Sequence, residues 1–416
     1  MEERLRFIEE WNSEDWTMAE LCRFYGVTRK TGYKWVERYE VSGWEGLRDQ
    51  SRAPHQQAQA IEGKMEDLVI ATRERHPFWG ARKIRAYLER EGGAGRVPAA
   101  STIGSILKGE GLTVGKKRRP KGKARPSEQP LAHATEANKV WCADFKGWFR
   151  SGDGKRIDPL TITDAYSRYL LRCQAVKAAD YAHSKPIFEA AFREYGLPER
   201  IRTDNGAPFG SNGESGLTGL SVWWIKLGIC PERIQPGRPQ QNGRHERMHR
   251  TLKQETAQPA ARNRRAQQER FEEFRQEYNE QRPHEALKQG TPASFYQPSA
   301  REYPRRVGEV EYPDGWQVRR VGPGGQMRWH SESVFVAHAL AGEAVGLEPI
   351  EEDHWRVWFS FYPLGILDRD QDRILRPDRW QTLQRKKQST HGGGCKFNCV
   401  NGHRRDHTKE TRWQLT

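Results

Sequence analysis

The sequence predicts a multidomain chain: helical helix-turn-helix units at the amino-terminal end, an α/β core on a mixed sheet, and a small β-barrel towards the carboxy-terminal end. Three observations predict it. The 416 residues suffice for about three domains of roughly 150 residues each. Apolar residues recur at helical spacing up to Leu112 and alternate as in strands from Asn138. Beyond Arg305 they fall in short runs divided by Gly and Pro, the pattern of a small all-β unit. The boundaries read as a helix-turn-helix domain at 1–55, a second helical, helix-turn-helix-like domain at 56–114 and a basic linker at 115–134. An α/β core follows at 135–300, then a β-rich domain at 301–384 and an unstructured basic tail at 385–416.

Composition excludes several classes. The 15 Trp, 15 Phe and 13 Tyr supply large buriable side chains that a disordered chain lacks. The longest apolar stretch, Leu220 to Cys230, is interrupted by Lys226 and is far short of the roughly 20 residues that cross a bilayer. No membrane partner is expected. The amino terminus is charged from Glu2 and carries no apolar segment, so a secretory signal is not expected and the cytoplasm is. Six cysteines are too sparse for a disulfide framework, and Cys22, Cys142, Cys173 and Cys230 sit inside apolar patterns as reduced core thiols.

The formal net charge is +15, from 70 Lys and Arg against 55 Asp and Glu. Lys116 to Arg125 holds seven basic residues and no acidic one, and Arg385 onward holds eight basic and two acidic. A localised excess of this kind suits a polyanion partner, although either run alone reads equally well as solvated charge. Arg238 to Arg275, with ten basic and five acidic residues, lies on a predicted helix.

In the first domain a helix ends near Tyr25, Gly26 turns the chain, and Thr28 caps a second helix bearing Arg29, Lys30, Lys34 and Arg38. That second helix suits a DNA major groove; an ordinary pair of packed helices is the alternative. From Ile61 to Leu112, Leu68, Val69, Ala71, Ile84, Tyr87, Leu88, Ile103, Ile106 and Leu107 repeat at helical spacing, with Ser101 placed to cap the third helix. The linker that follows, including Lys116, Lys117, Arg118 and Arg119, is rich in Pro and Gly and can lie along phosphates.

From Asn138, Val140, Cys142 and Asp144 alternate, and Leu160 to Thr163 and Tyr169 to Val176 are β-prone. Helical patterns follow at Tyr181 to Glu194 and Val222 to Leu227, with Arg200 to Thr203 a strand between them. Strands first, then strand and helix in alternation, imply a mixed sheet with helices on its faces. Pro239 to Tyr278 is helical and charged.

Three carboxylates stand where such elements converge. Asp144 lies in Trp141-Cys-Ala-Asp-Phe-Lys-Gly147, Asp204 follows a strand in Thr203-Asp-Asn-Gly206, and Glu246 opens a helix after Asn242-Gly243-Arg244-His245. Singly, each is also a turn former or a surface charge. Together they suit a pair of Mg²⁺ ions, which take hard carboxylate oxygens and suit phosphodiester cleavage and transfer. Without cations, such a cluster repels itself.

These segments are joined by Asp164 and Ser167-Arg168 in Thr163-Asp-Ala-Tyr-Ser-Arg-Tyr169, by Pro239-x-x-Asn-Gly-x-x-Glu246, and by Tyr278-Asn-Glu-Gln-Arg-Pro-His-Glu-Ala-Leu287 with Thr291-Pro-Ala. In this order they resemble the integrase-core DDE transposases of bacterial insertion sequences, relatives of retroviral integrases. The likeness runs from about residue 14 to 370, through Leu340-Ala-Gly-Glu-Ala-Val-Gly-Leu347 and Leu364-Gly-Ile-Leu-Asp368. It implies a ribonuclease-H-like core with Asp144, Asp204 and Glu246 as catalytic ligands of two Mg²⁺ or Mn²⁺ ions. It also implies DNA strand cleavage by water, followed by strand transfer from the exposed 3′-hydroxyl. Asn205 and Gly206 would shape the loop beside the second Asp, and Asn242 and Gly243 the approach to the Glu. The implied partners are double-stranded DNA, both element ends and target, and further copies of the chain on that DNA, at the bacterial nucleoid. One departure is visible: 41 residues separate Asp204 from Glu246, somewhat more than the family usually has, with Gly210 to Gly219 as the extra loop.

Asp164, before Tyr-Ser-Arg, reads as a turn former rather than a fourth ligand. His249, Arg250 and Lys253 lie three, four and seven residues beyond Glu246 and are expected, with Arg244, to meet DNA phosphates on its face of the helix. Cys395, Cys399, His403 and His407 are too widely spaced, in too polar a segment, to suggest zinc. A DNA-binding regulator without catalysis and a plain metal-dependent nuclease are the rival readings.

Overall fold

The computed structural model describes residues 2–49, 63–91, 96–113, 133–211, 215–235, 243–351, 354–368 and 373–375. The chain divides into two compact units, Met1–Gly63 and Lys64–Thr416. In the first, α1 (Glu2–Asn12), α2 (Met18–Phe24) and α3 (Arg29–Ser42) enclose Phe7, Ile8, Met18, Leu21, Cys22 and Leu47. Local chemistry sets each boundary. Thr17 and Glu20 form a reciprocal capping box on α2, Gly26 turns the chain at φ +64°, and the Thr28 hydroxyl accepts from the Thr31 N–H to start α3. Gly32 lets α3 approach α2, since a Cβ there would lie 2.6 Å from Cys22 Sγ and 2.7 Å from Met18 Sδ.

The second unit opens with α4 (Gly63–Arg75), α5 (Ala81–Arg90) and α6 (Ala100–Gly109), packed through Val69, Trp79, Ile84, Leu88, Ile103 and Leu107. Ser101 does not cap α6. The helix begins at Ala100, straight after Pro98 and Ala99, so Ser101 already lies in its first turn.

The core then runs β1 (Val140–Phe145), β2 (Phe149–Arg150), β3 (Arg156–Asp164), β4 (Leu170–Val176), α7 (Tyr181–Tyr195), β5 (Arg200–Thr203), α8 (Gly219–Lys226), β6 (Cys230–Arg233), α9 (Gly243–Thr256) and α10 (Arg264–Gln276). Strands β4, β3 and β1 are antiparallel neighbours, β2 pairs with the start of β3, and β5 and β6 continue the sheet parallel to β1. This is the mixed sheet of a ribonuclease-H-like core. Helices α7 and α8 cover one face, through Phe188, Phe192, Leu220 and Trp224 against Trp141, Ala143, Leu160 and Ile162. The other face receives α9 and α10, through Met248, Leu252, Phe271 and Phe274 against Ile157, Leu170 and Cys173. The open edge of β4 is closed by side-chain amides: Asn279 bonds both the N–H and the C=O of Leu170, and Gln268 bonds Ala175 N and Cys173 O.

The β-rich domain comprises β7 (Gln317–Arg320), β8 (Gln326–Trp329), β9 (Glu332–Phe335), β10 (Ala344–Glu351), β11 (His354–Phe359), β12 (Tyr362–Asp368) and β13 (Arg373–Leu375). The expected barrel is not closed. Among the described residues the strands form an antiparallel sheet in the order β13-β12-β11-β10-β7 and a separate β8-β9 hairpin over one apolar core. That core includes Leu217, Val222 and Ile225, so α8 is shared between the two sheets. Cys22, Cys142, Cys173 and Cys230 are free thiols. No described helix is long and apolar enough to cross a membrane.

Asp164 sits at the end of β3 opposite Trp141, three rungs of the β1–β3 pairing from Asp144, and is 1% exposed. Its carboxyl accepts from the N–H of Asn138 at 2.8 Å and from both the N–H and the hydroxyl of Ser167 at 2.7 and 2.6 Å. Asp164→Ala leaves two buried N–H groups unpaired, so it is expected to lower unfolding stability by about 1–3 kcal/mol per orphaned group while leaving Mn²⁺ binding intact. Urea unfolding beside Mn²⁺ titration checks this; unchanged stability with lost metal binding would make Asp164 a ligand.

Candidate active site

The site follows from strand register. Strands β1 and β5 run parallel with Val140 opposite Arg200 and Cys142 opposite Arg202, so continuing two residues brings Asp144 level with Asp204 on neighbouring strands. Strands so paired lie roughly 4.8 Å apart. On the other side of β1, Asp144 is opposite Thr161 and Cys142 opposite Thr163. Alternation then puts Asp144, Thr161 and Thr163 on the face that α9 covers.

Helix α9 meets that face with its amino-terminal half. His245 and His249 are 2% and 5% exposed, whereas Glu246, Arg250 and Lys253 are exposed. The Thr161 hydroxyl lies 2.6 Å from Nε2 of each histidine, and the Thr163 hydroxyl lies 3.1 Å from His245 Nδ1. His249 Nδ1 faces Asp144 Oδ2 at 3.8 Å. His249 therefore does not join Arg250 and Lys253 on the solvent side. The sequence reading missed His245, Thr161 and Thr163. Their signal was present in His245-x-x-x-His249, an i, i+4 pair on one helix face, and in a Thr-x-Thr alternation within an apolar strand.

The electrostatics centre on Asp144. Burial pushes its carboxyl up to about 7, the charges of Asp204 and Glu246 add to the rise, and the backbone N–H of Phe145 and the charge of Lys146 oppose it. Asp204 is raised by burial, against one hydrogen bond from the Gly206 N–H to Oδ1 at 3.2 Å. Burial pushes His245 down to about 3; His249 is lowered by burial first and then by the charges of His245 and Lys146. The second-Asp loop is tied by Asn205, whose amide donates to Ile234 O at 2.8 Å, and a Cβ on Gly206 would sit 3.1 Å from Asp204 Oδ2.

Among the described residues, Asp144, His245 and His249 offer ligand atoms within 4.8 Å of one another. Asp204 and Glu246 are not part of that group. The carboxylates fit a hard divalent cation: desolvation and mutual charge hold Asp144 in its neutral form, and a bound cation reverses that cost. Gly243 begins α9. Asn242, the linker residues Lys116, Lys117, Arg118 and Arg119, the side chain of Arg244 and the Cys395–His407 segment lie outside the described residues.

Comparison with known proteins decides the family. The integrase core domain family matches residues 134–239, and a second integrase core domain family matches 227–292. A helix-turn-helix domain matches 3–55 and a homeodomain-like domain 31–107. The insertion element IS407 uncharacterized 31.7 kDa protein of Burkholderia multivorans is 30% identical over 241 residues, covering 55% of this chain and 78% of that protein. The chain belongs to the integrase-core transposase family of bacterial insertion elements. The insertion element IS476 uncharacterized 39.2 kDa protein of Xanthomonas euvesicatoria is 26% identical over 247 residues, 58% of this transposase-family chain and 66% of that one. Solved structures with likeness include the HTLV-2 integrase catalytic core domain in complex with magnesium, at 14% identity and a TM-score of 0.32 over 40% of this chain and 100% of that one. A simian T-cell lymphotropic virus intasome chain matches at 16% identity and a TM-score of 0.34 over 75% of this chain and 99% of that one.

A carboxyl whose pKa is raised by folding makes the fold less stable as pH rises. Unfolded, Asp144 ionises near the ordinary carboxylate value; folded, it keeps its proton to about 7, so the loss accumulates between those values and is complete above them. In EDTA, wild-type stability is expected to fall between pH 4 and 7 by up to about 1.4 kcal/mol per unit relative to Asp144→Asn. Mg²⁺ should restore it more at pH 8 than at pH 5, and only in the wild type. Denaturant midpoints at the two pH values check this, and equal slopes for the two proteins would refute it.

Proposed function

We propose that this integrase-core transposase binds the ends of its element, cleaves DNA strands and joins the exposed 3′ ends to target DNA. Asp144, Asp204 and Glu246 would be the metal ligands. When bound, two Mg²⁺ or Mn²⁺ ions would activate the attacking oxygen and stabilise the leaving one. The observation that carries this reading is the strand register that brings Asp144 level with Asp204 on neighbouring parallel strands, in a chain of this family.

The chain's own residues have distinct tasks on this reading. Asp144 and Asp204, held level by the β1–β5 register, bind the cations; Glu246 joins them from the exposed first turn of α9. Arg250 and Lys253 on the same exposed face hold phosphates beside the scissile bond, with Arg244. Arg29, Lys30 and Lys34 are exposed and Arg38 half-buried on α3, which suits reading element ends in the major groove. The linker, through Lys116, Lys117, Arg118 and Arg119, and the β-rich domain hold backbone phosphates. Two element ends must be cut and joined together, so the working form is a homo-oligomer on DNA.

Incubation with Mg²⁺ and DNA carrying element ends, wild type beside Asp204→Ala, tests the proposal. Joined products are expected from the wild type and a loss of at least about 100-fold in the variant, the scale on which removing one charge-stabilising group acts. Nicks without joining would indicate a nuclease, and DNA retention with neither product a regulator.

A further inference from the structure

Thr163, His245, Thr161 and His249 form a buried polar run that neither the metal ligands nor the DNA-facing residues account for. All four are at most 8% exposed. A neutral imidazole has one N–H and one lone pair, and a hydroxyl has one proton to give. Both rings are nearly sealed from water, at 2% and 5% exposure, and burial favours the neutral imidazole. Thr161 Oγ1 lies 2.6 Å from both Nε2 atoms; with one proton and two lone pairs it either donates to one and accepts from the other, or accepts from both. Its distance to the Asp144 carbonyl, 3.2 Å, is the longer alternative for its proton.

Three arrangements satisfy every short contact. In one, Thr163 O–H donates to His245 Nδ1, His245 Nε2–H donates to Thr161, and Thr161 O–H donates to His249 Nε2. His249 then carries its proton on Nδ1, facing Asp144 Oδ2 at 3.8 Å. The reverse direction, and the arrangement in which Thr161 accepts from both rings and donates to the Asp144 carbonyl, both aim the His249 Nδ1 lone pair at the carboxylate, which is repulsive whenever Asp144 is ionised. The 3.8 Å gap is longer than a hydrogen bond, and the soft terminal torsion of Asp144 can close it.

We propose that Thr163, His245, Thr161 and His249 are positioning residues: a one-way hydrogen-bond chain that holds His249 as the Nδ1–H tautomer and aims it at one oxygen of Asp144. The helix bearing Glu246 is thereby fixed to the strand bearing Asp144. This rests on Asp144 being a metal ligand. Direct ligation of a metal by Asp144, His245 and His249 is the competing use of the same atoms. It would break contacts that already engage both nitrogens of His245 and one of His249.

The test uses the full chain, with Mn²⁺ binding followed by electron paramagnetic resonance in the absence of DNA. His249→Leu is expected to weaken binding about 10- to 100-fold, the range for loss of a group that orients a ligand. His249→Asn, whose amide nitrogen can replace Nδ1–H, should recover most of that loss. Thr161→Val should weaken binding in the wild type yet add little to His249→Asn, which needs no tautomer set for it. Unchanged binding in His249→Leu, or equal loss in the Leu and Asn variants, overturns the chain. Asp144→Asn separates the two levels: unchanged Mn²⁺ binding there removes the metal-ligand reading and the proposal with it, whereas loss there with no effect of His249→Leu removes the proposal alone. Nitrogen NMR of the unaltered protein with Mg²⁺ needs no variant. Protons on His245 Nε2 and His249 Nδ1 support the chain, and any other pair, including Nε2 of both rings, overturns it.

Discussion

A carboxyl half-buried at the end of a central strand, beside two other acids, is a burden that the rest of the core is organised around. Asp144 sits between β3 and β5, and within its own strand the Phe145 N–H relieves it only in part. Burial and two like charges drive it towards its neutral form. An apolar face opposite would deepen that cost. Instead β3 presents Thr161 and Thr163, and α9 presents His245 and His249, which makes the sheet–helix interface polar beside the acid and apolar further along, at Met248 and Leu252. The change of character along one helix follows distance from Asp144.

The same division explains why the amino-terminal helices were legible and the site only partly so. Capping is local chemistry: Gly26 and Thr28 announce the turn and the start of α3 within three residues, and the structure has them as read. Ser101 failed because Pro98 and Ala99 led the chain into the helix one residue before it. Strand β1 was visible in its alternation, and β5 in Arg200 to Thr203. The inward face of α9 is marked by Met248 and Leu252, with His245 and His249 beside them at helical spacing, but two apolar residues in a densely charged helix were outweighed by the nearness of His249 to Glu246. His249 stands three residues from Glu246, close enough in angle to suggest one shared face, yet tertiary packing drew the boundary between them. The closed barrel failed for a related reason, because short runs divided by Gly and Pro announce strands but not which edges pair.

The apolar run from Leu220 to Cys230, too short for a membrane, has its explanation in α8. Leu220, Trp223 and Trp224 pack into the core beneath the mixed sheet, while Val222 and Ile225 pack into the β-rich domain. A helix buried on opposite sides is apolar all round. Its last charged residue, Lys226, pairs with Glu343 at 2.8 Å, so the domain contact is apolar at its centre and ionic at its rim.

Helix α9 thus carries two populations that must not exchange places. His245 and His249 point to strands β1 and β3, and Glu246, Arg250 and Lys253 point to solvent. A rotation of the helix by one residue, about 100°, would put an acid against Asp144 in a site already short of counter-charge and would expose the imidazoles. The short contacts to Thr161 oppose that rotation from both histidines at once, and Met248 and Leu252 oppose it further along. On the metal-ligand reading, Glu246 then stays hydrated until cations are present, so folding bears the desolvation of Asp144 and, in part, of Asp204 without adding that of a third acid.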